Sequence, residues 1–186
     1  LAGPDLPARG GGDPGMSGQE EQDCGTRIRP MRLTDLAVVR AIDVLSFSLP
    51  WPESSYRFEV AENRNAIPLV VEDAQGEVIG MSVTWVILDE AHVATIALHP
   101  DHRRRGRGRR LRAHGLLAAW ERGARLAYLE VRRSNLAAQA MYADFGFVVA
   151  GERPRYYQDN REDALLMTLE QIDPERLRAW LEPLKS

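Results

Sequence analysis

The chain has 186 residues, of which 44% are hydrophobic and 27% are charged, with a formal net charge of −3. This length and balance are typical of one globular domain and argue against a general nucleic-acid-binding protein. No apolar stretch reaches the roughly 18 residues that a membrane span needs. Cys24 is the only cysteine, which excludes an internal disulfide bond, so we expect a reducing, cytoplasmic location.

Residues 1–25 hold seven of the fifteen glycines and hardly any large apolar side chain. Such a segment cannot bury enough surface to offset the entropy lost on ordering, so we predict a disordered tail. Cys24 lies in this tail and is expected to be incidental rather than a nucleophile. Because Leu1 is not an initiator, we expect a processed end, an artefact of expression, or a true start at Met16.

From residue 26 the hydrophobic pattern changes between the periods of strands and helices. Thr34 or Asp35 can cap a first helix, the segment 49–52 interrupts the chain with two prolines, and Pro174 can open a last helix. The predicted strands are 26–31, 67–72, 77–88, 91–98, 126–131, 147–153 and 164–169. The predicted helices end near residues 46, 62, 122, 145 and 184.

The element order β-α-α-β-β-β-α-β-α-β-β predicts an α/β fold in which a mixed sheet is flanked by helices. The sequence indicates no repeat and no second domain. We therefore expect one domain over 26–170, preceded by the tail 1–25 and followed by a helical extension over 171–186.

The segment 99–109, between a predicted strand and a predicted helix, is unusually rich in arginine and glycine. Seven arginines fall between Arg103 and Arg112. Gly106 and Gly108 let the backbone approach a ligand, and the following helix presents unpaired N–H groups and the positive end of its dipole. This combination suits a pyrophosphate, to which guanidinium groups can add hydrogen bonds. The residues alone leave open a solvated basic surface or a nucleic-acid patch.

The spacing Arg103-x-x-Gly106-x-Gly108 resembles the Arg/Gln-x-x-Gly-x-Gly/Ala signature of the GCN5-related N-acetyltransferase (GNAT) superfamily, whose element order is also similar over 26–169. The resemblance implies a splayed sheet and acetyl-coenzyme A as the acetyl donor. It implies that the pyrophosphate is held by the loop residues Arg103, Arg104, Arg105, Gly106, Arg107, Gly108 and Arg109. It also implies that the pantetheine arm pairs with the backbone of Ile96, Ala97 and Leu98.

Two arginines depart from the pattern of this family. Arg107 and Arg112 occupy positions in the helix after the loop that are usually aliphatic in the family. We expect them to contact phosphate or ribosomal RNA, or else to be exposed. The start of this helix is therefore more polar than the resemblance implies.

Three further stretches are similar to enzymes that acetylate N-terminal amines, especially the bacterial ribosomal-protein alanine acetyltransferases (RimI type). These stretches are Leu129–Tyr142, Arg155–Met167 and Leu49–Glu53. The resemblance implies that the acceptor is the N-terminal alanine of a protein, in particular a ribosomal protein. We expect direct transfer through a ternary complex, because no residue stands out as an acyl-carrying nucleophile. An α-amine has a pKa about 2.4 units below that of lysine, so it needs only modest help from a base.

The resemblance also implies roles for single residues. Glu130 is the candidate base, and Tyr142 is the candidate acid that protonates the departing thiolate. Asn135 precedes Tyr142 by two helical turns, so both can face the cleft, and its amide can bond the pantetheine arm. The acceptor groove would be lined by Leu49, Pro50, Tyr156 and Tyr157.

Several alternatives remain open on the sequence alone. A small amine, such as a polyamine or an aminoglycoside, and a protein lysine are rival acceptors. Outside the enzyme class, the arginine cluster fits an RNA-binding module without acetyl transfer. We expect no membrane partner, no specific nucleic acid and no metal, since metal-ligand spacing is absent around His92, His99, His102 and His114. The sequence does not set the oligomeric state.

Overall fold

A seven-stranded sheet forms the centre of the computed structural model, which describes residues 25–181. The strands are β1 (Arg27–Pro30), β2 (Ala66–Glu72), β3 (Val78–Ile87), β4 (Glu90–Leu98), β5 (Leu126–Arg132), β6 (Val148–Arg153) and β7 (Ala164–Leu169). Their order in the sheet is β1-β2-β3-β4-β5-β7-β6, and only the β4–β5 pairing is parallel. The predictions for Cys24 and for a start at Met16 lie outside the described residues.

Five α-helices complete the described fold. They are α1 (Leu36–Ser46), α2 (Glu53–Ala61), α3 (Arg107–Glu121), α4 (Leu136–Asp144) and α5 (Pro174–Leu181). The predicted element order and the mixed α/β fold class are confirmed, with two short 3-10 turns, Leu33–Asp35 and Pro100–His102, as additions. Within residues 25–181, no helix combines the length and hydropathy that crossing a bilayer requires.

The helices cover the two faces of the sheet with separate hydrophobic clusters. On one face, α1 and α2 bury residues such as Val39, Ile42 and Tyr56 against β2, β3 and β4. On the other face, α3, α4 and α5 bury residues such as Leu111 and Leu177 against β3, β4, β5 and β7. The alternation of side chains along each strand supplies both clusters from the same sheet.

The β4–β5 pairing is short, and this splits the sheet. The two strands are paired only from Glu90 to His92 on β4, although β4 continues to Leu98. Ala94 is an extra residue in β4, because Val83 faces Thr95 while Thr84 faces Val93. Beyond this bulge, β4 is paired with β3 alone and β5 with β7 alone, so a gap with unpaired backbone groups opens between them.

The position of Arg112 contradicts the expectation that this residue is exposed or contacts phosphate or RNA. Its exposed fraction is only 3%. The helical period places it on the same side of α3 as Leu111, Gly115 and Leu116, all of which are buried against the sheet. Its guanidinium contacts the ring and the hydroxyl of Tyr142 on α4.

The segment after residue 170 packs on the rest of the domain. Ile172 and Leu177 are buried, and the Trp180 ring lies edge-on against Phe145 at a centroid distance of 4.1 Å. Helix α5 contacts α3 directly. The described part of the C-terminal extension therefore shares its core with the domain that precedes it.

Candidate active site

A cleft of about 570 Å³ opens on the α1–α2 face of the sheet, at the point where β4 and β5 separate. Alternation along β5 directs Tyr128 and Glu130 into this cleft, while Leu129 and Val131 enter the core on the other face. The other lining residues with polar groups include Trp85, Glu90, His92, Arg153, Tyr156 and Thr168. The cleft thus combines carboxylates, an imidazole and aromatic rings.

Glu130, the predicted base, lines the cleft near the end of β5. Its side chain is 34% exposed, and its Oε1 lies 3.1 Å from Nη1 of Arg153 on β6. An ion pair that is this accessible to water is weak. An incoming ammonium group can therefore compete with Arg153 for the carboxylate.

His92 is a residue of the cleft for which the sequence predicted no role. Its Nε2 lies 2.8 Å from Oε2 of Glu90, and its ring centroid lies 5.5 Å from that of Tyr128. It is the last β4 residue that is paired with β5. Since its position depends on where the two strands separate, no local sequence signal identifies it.

The two adjacent tyrosines of the β6–β7 connection have different environments. Tyr156 is 44% exposed and lines the cleft, and its ring packs edge-on against Tyr157 at 5.3 Å. The ring of Tyr157 is half-buried beneath the Arg132 guanidinium, at 3.8 Å. Burial raises the pKa of Tyr157 to about 12, so its phenol stays protonated at neutral pH. Of the pair, Tyr156 is the one that faces the cleft.

Arg132, at the end of β5, joins the two loops beside the cleft. Its guanidinium donates to Asp159 at 2.8 Å, to Asn160 at 3.1 Å and to Glu162 at 3.3 Å in the β6–β7 connection. It also donates to the hydroxyl of Ser48 in the α1–α2 loop, at 3.2 Å. We call these five residues the Arg132 clasp.

The acidic members of the Arg132 clasp stay ionised over a wide pH range. Hydrogen bonds from Ser134 lower the pKa of Glu162 to about 2. The bond from Ser48, and then that from Arg132, lower the pKa of Asp159. The clasp therefore keeps its charges at neutral and at mildly acidic pH.

Leu49 and Pro50 lie in the α1–α2 loop, next to Ser48 of the clasp. Leu49 is 56% exposed and Pro50 is half-buried, and neither residue lines the cleft. The loop reaches the β6–β7 connection through the hydrogen bond from Ser48 to Asp159. The structure thus brings the two loops together but leaves these two side chains beside the cleft rather than in it.

The loop before α3 has two residues in the left-handed backbone region. Gly106 has φ 73° and caps α3, while Arg104 has φ 63°. Consecutive N–H groups in such a turn form a concave site that suits an anion. Arg104 and Arg105 are exposed and form no ion pair with another described residue. They lie beside the positive end of the α3 dipole.

Arg103 of the same loop and Arg109 in the first turn of α3 already contact protein groups. The Arg103 guanidinium donates to the Leu98 carbonyl at 2.9 Å and to the Ser46 hydroxyl at 3.0 Å. This bonding fixes the loop against the end of β4. Arg109 pairs with Asp144 on α4.

Arg107 contacts His102 at 3.0 Å. The loop backbone, together with Arg104 and Arg105, is therefore the part of the loop that is best placed for phosphate.

The remaining predicted cofactor residues flank the gap in the sheet. Ile96, Ala97 and Leu98 lie on the stretch of β4 that has no pairing toward β5. Asn135 caps α4, where its Oδ1 accepts from the backbone N–H of Ala138 at 3.1 Å. The amide nitrogen of Asn135 remains available to a ligand.

Tyr142, the predicted acid, is buried on the face of the sheet that α3, α4 and α5 cover, and it does not line the cleft. Glu130 faces the opposite side, so the gap between β4 and β5 is the direct route from one to the other. Among residues 25–181, no three His, Cys, Asp or Glu side chains cluster as metal ligands.

Comparison with known proteins identifies the family. Residues 36–147 match the acetyltransferase (GNAT) family. The chain is 39% identical to a putative [ribosomal protein bS18]-alanine N-acetyltransferase of Bacillus subtilis over 75% of this chain and 92% of the relative. It is 36% identical to the [ribosomal protein bS18]-alanine N-acetyltransferase of Escherichia coli K12 over 76% of this chain and 95% of the relative.

The fold agrees with these sequence matches. The crystal structure of the ribosomal-protein-S18-alanine N-acetyltransferase from Escherichia coli superimposes with a TM-score of 0.72 at 34% identity, covering 80% of this chain and 94% of that one. The seven-stranded sheet split between β4 and β5 and the arginine-glycine loop before α3 thus occur in a chain with close enzyme relatives. This chain is an N-acetyltransferase and belongs to the GNAT family.

Proposed function

We propose that this enzyme transfers the acetyl group of acetyl-coenzyme A to the N-terminal α-amine of a protein that begins with alanine. The observation that carries the proposal is the cleft in which Glu130 lies beside the β4–β5 gap, with Tyr142 behind the gap on the other side of the sheet. An acceptor and a thioester that enter from opposite sides would meet there. The relatives that are named for acting on ribosomal protein bS18 support a ribosomal protein as the acceptor. A cytoplasmic location would follow from such an acceptor.

The donor would lie along three features of this chain. The left-handed turn at Arg104 and Gly106 offers backbone N–H groups to a pyrophosphate. The exposed guanidinium groups of Arg104 and Arg105, which form no ion pair with a described residue, can add hydrogen bonds. The unpaired edge of β4 offers backbone groups to the amides of a pantetheine arm. The amide nitrogen of Asn135 is available at the start of α4. These features lead from the loop to the gap and fit acetyl-coenzyme A.

The reaction needs a neutral amine and a protonated leaving group. The Glu130 carboxylate accepts a proton from the ammonium group, through one water, and the amine nitrogen then attacks the thioester carbonyl carbon. The new C–N bond forms as the C–S bond breaks, and the acetylated nitrogen gives up its surplus proton to water. The phenol of Tyr142 gives its proton to the departing thiolate. An α-amine, with a pKa near 8, makes this first step easier than a lysine with a pKa near 10.4.

The charges of the cleft support a peptide over a polyamine. Glu130 is paired with Arg153, and Glu90 contacts His92, so the cleft lacks a surplus of acidic groups for a polycation. Tyr156 offers a rigid apolar face with a polar tip, which suits a short stretch of extended peptide. Because the chain belongs to an enzyme family, an RNA-binding module without catalysis is not supported.

Initial rates with three acceptors test the proposal. We expect acetyl transfer from labelled acetyl-coenzyme A to a peptide beginning Ala-Arg, and a rate near background with the same peptide blocked at its N-terminus. Spermidine at the same concentration should be a much poorer acceptor. Equal rates with the free and the blocked peptide, or faster transfer to spermidine, would reject the α-amine as the acceptor.

A further inference from the structure

Arg112 places a positive charge in the core between α3 and the sheet, where side chains are usually apolar. It lies on the sheet-facing side of α3, with 3% of its surface exposed, beside Leu111, Leu116 and Ile96. A buried charge is costly unless hydrogen bonds and an opposite charge compensate for it. None of the described carboxylates forms an ion pair with Arg112. Burial lowers the pKa of its guanidinium, yet an arginine stays protonated in a protein.

The contacts of Arg112 are concentrated on Tyr142. Its Nη2 donates to the phenol oxygen at 2.9 Å, and its guanidinium lies 3.9 Å from the centre of the ring. Its Nε and Nη1 have no hydrogen-bond partner in the described part of the chain. Ser82 and Thr84 line a small cavity beside Arg112. Among the described residues, Tyr142, the predicted acid of the reaction, is the one whose side chain hydrogen-bonds to the guanidinium.

We infer that Arg112 is a positioning residue that acts through Tyr142, by fixing the direction of the phenol proton and by stabilising the phenolate left after that proton is given up. An arginine has no acceptor group, so the O–H of Tyr142 cannot donate to it and points away from it. Because Tyr142 accepts the hydrogen bond from Arg112, its own phenol proton remains available to the departing thiolate. This inference rests on the proposed role of Tyr142.

The electrostatics of the step favour the same role. When the C–S bond breaks, negative charge forms on sulfur, and it moves to the phenol oxygen as the proton passes to sulfur. A cation fixed beside that oxygen in a water-excluded site stabilises this charge without having to reorganise. Once the thiol has left and water can enter, water returns a proton to the phenolate. An aliphatic residue at position 112 can pack against the ring but cannot supply this charge.

Substitutions at position 112 separate a chemical role from a packing role. Arg112→Met keeps the length and removes the donor and the charge, while Arg112→Lys keeps a charge and a donor. We expect kcat of Arg112→Met to fall by about tenfold or more, the KM of the acceptor to stay the same, and Arg112→Lys to recover part of the loss. Because the buried cation lacks a counter-ion, the melting temperature of Arg112→Met should equal or exceed that of the wild type.

The same substitution in a Tyr142→Phe background gives the sharpest readout. If Arg112 acts through the phenol, Arg112→Met should cause no further loss of kcat there. The same fold loss in both backgrounds, or a kcat within about twofold of the wild type in the single variant, would overturn the inference.

The assay follows the release of the free thiol of coenzyme A, so it does not depend on which amine is the acceptor. Failure of the alanine peptide alone, with thiol release retained for another amine, would reject the proposed acceptor. Arg112→Met, Arg112→Lys, Tyr142→Phe and the double variant are then compared with that other amine as the acceptor. A loss of kcat that disappears in the Tyr142→Phe background supports the role of Arg112, and an equal loss in both backgrounds rejects it.

Discussion

Glu130, which lines the cleft, is the proposed base of the reaction. Glu130→Gln removes the proton acceptor but keeps the shape and a hydrogen-bonding group. We expect kcat with an alanine peptide to fall about a hundredfold, with the Kd of acetyl-coenzyme A nearly unchanged, because the base acts only on the amine. Glu152→Gln is the matched control, since Glu152 is an exposed partner of Arg133 outside the cleft. Equal losses of turnover and cofactor affinity would indicate a structural glutamate.

Gly106 is required for its backbone conformation rather than for its small size. It has φ 73°, and a Cβ at this position would meet no atom within 4 Å. Gly106→Ala should therefore cost about 1 kcal/mol of backbone strain and turn the loop N–H groups away from the pyrophosphate. We expect a lower affinity for acetyl-coenzyme A by calorimetry, by about fivefold or more.

Gly76 provides the control for this substitution. It has φ 84° in the β2–β3 turn, and a Cβ there would also meet nothing within 4 Å. Gly76→Ala should lower stability to a similar extent and leave the affinity for acetyl-coenzyme A unchanged. If both variants lose affinity equally, the effect comes from general destabilisation and not from the loop.

At the scale of elements, the Arg132 clasp connects the α1–α2 loop to the β6–β7 connection. Arg132→Lys keeps the charge but cannot reach four acceptors with the planar fork of a guanidinium. We expect the KM of the peptide to rise several-fold with a smaller change in kcat, because Tyr156 and Tyr157 lose their support. Arg133→Lys, one residue along and paired with Glu152, should leave the KM unchanged. A rise in KM for both variants would contradict the role of the clasp.

The sequence predicts the elements well because each has a local signal. Capping and turn chemistry account for the end of α1 before the segment 49–52, the start of α5 at Pro174 and the position of Gly106 before α3. The separation of β4 from β5 has no such signal, since it depends on which backbone groups remain unpaired. His92 enters the cleft only through that separation, so the sequence alone did not identify it.

The surroundings of two single side chains, Arg112 and Arg103, also could not be predicted from the sequence. Composition and charge place arginines at the surface, and only the helical period indicates that position 112 faces the sheet. The sequence also groups Arg103 with the other loop arginines as a phosphate ligand. Its bonds to Leu98 and Ser46 depend on the packing of α1 against the end of β4, which is a tertiary feature.

At the scale of the whole molecule, stability depends on a buried ion pair beside β1. Asp35 accepts from Arg29 at 2.7 Å, and this bond, opposed in part by burial, lowers the pKa of Asp35 below its ordinary value of 3.8. The stability from this pair is therefore complete above that value and is lost as the pH falls through the lowered pKa.

Asp35→Asn should lower the free energy of unfolding at pH 7 by about 2 kcal/mol, because it removes one of the two carboxylates that pair with the part-buried Arg29 guanidinium and leaves only Glu72. Denaturant titrations at several pH values should show the difference from the wild type narrowing below pH 4. Asp101→Asn, at a side chain that is 83% exposed, should have almost no effect at any pH. A difference that is constant with pH would indicate that the charge of Asp35 does not contribute.

The two faces of the split sheet divide the work of the enzyme. The cleft on the α1–α2 face carries Glu130 and is the proposed site of the acceptor, while the face covered by α3, α4 and α5 carries Tyr142 and Arg112. The position of the acetylated atom tests this arrangement most directly. The measurement is fragment mass spectrometry of a peptide that begins with alanine and contains an internal lysine, after incubation with acetyl-coenzyme A. We predict a single acetyl group on the α-nitrogen of the alanine. Acetylation of the lysine side chain, with the α-amine left free, would contradict the account.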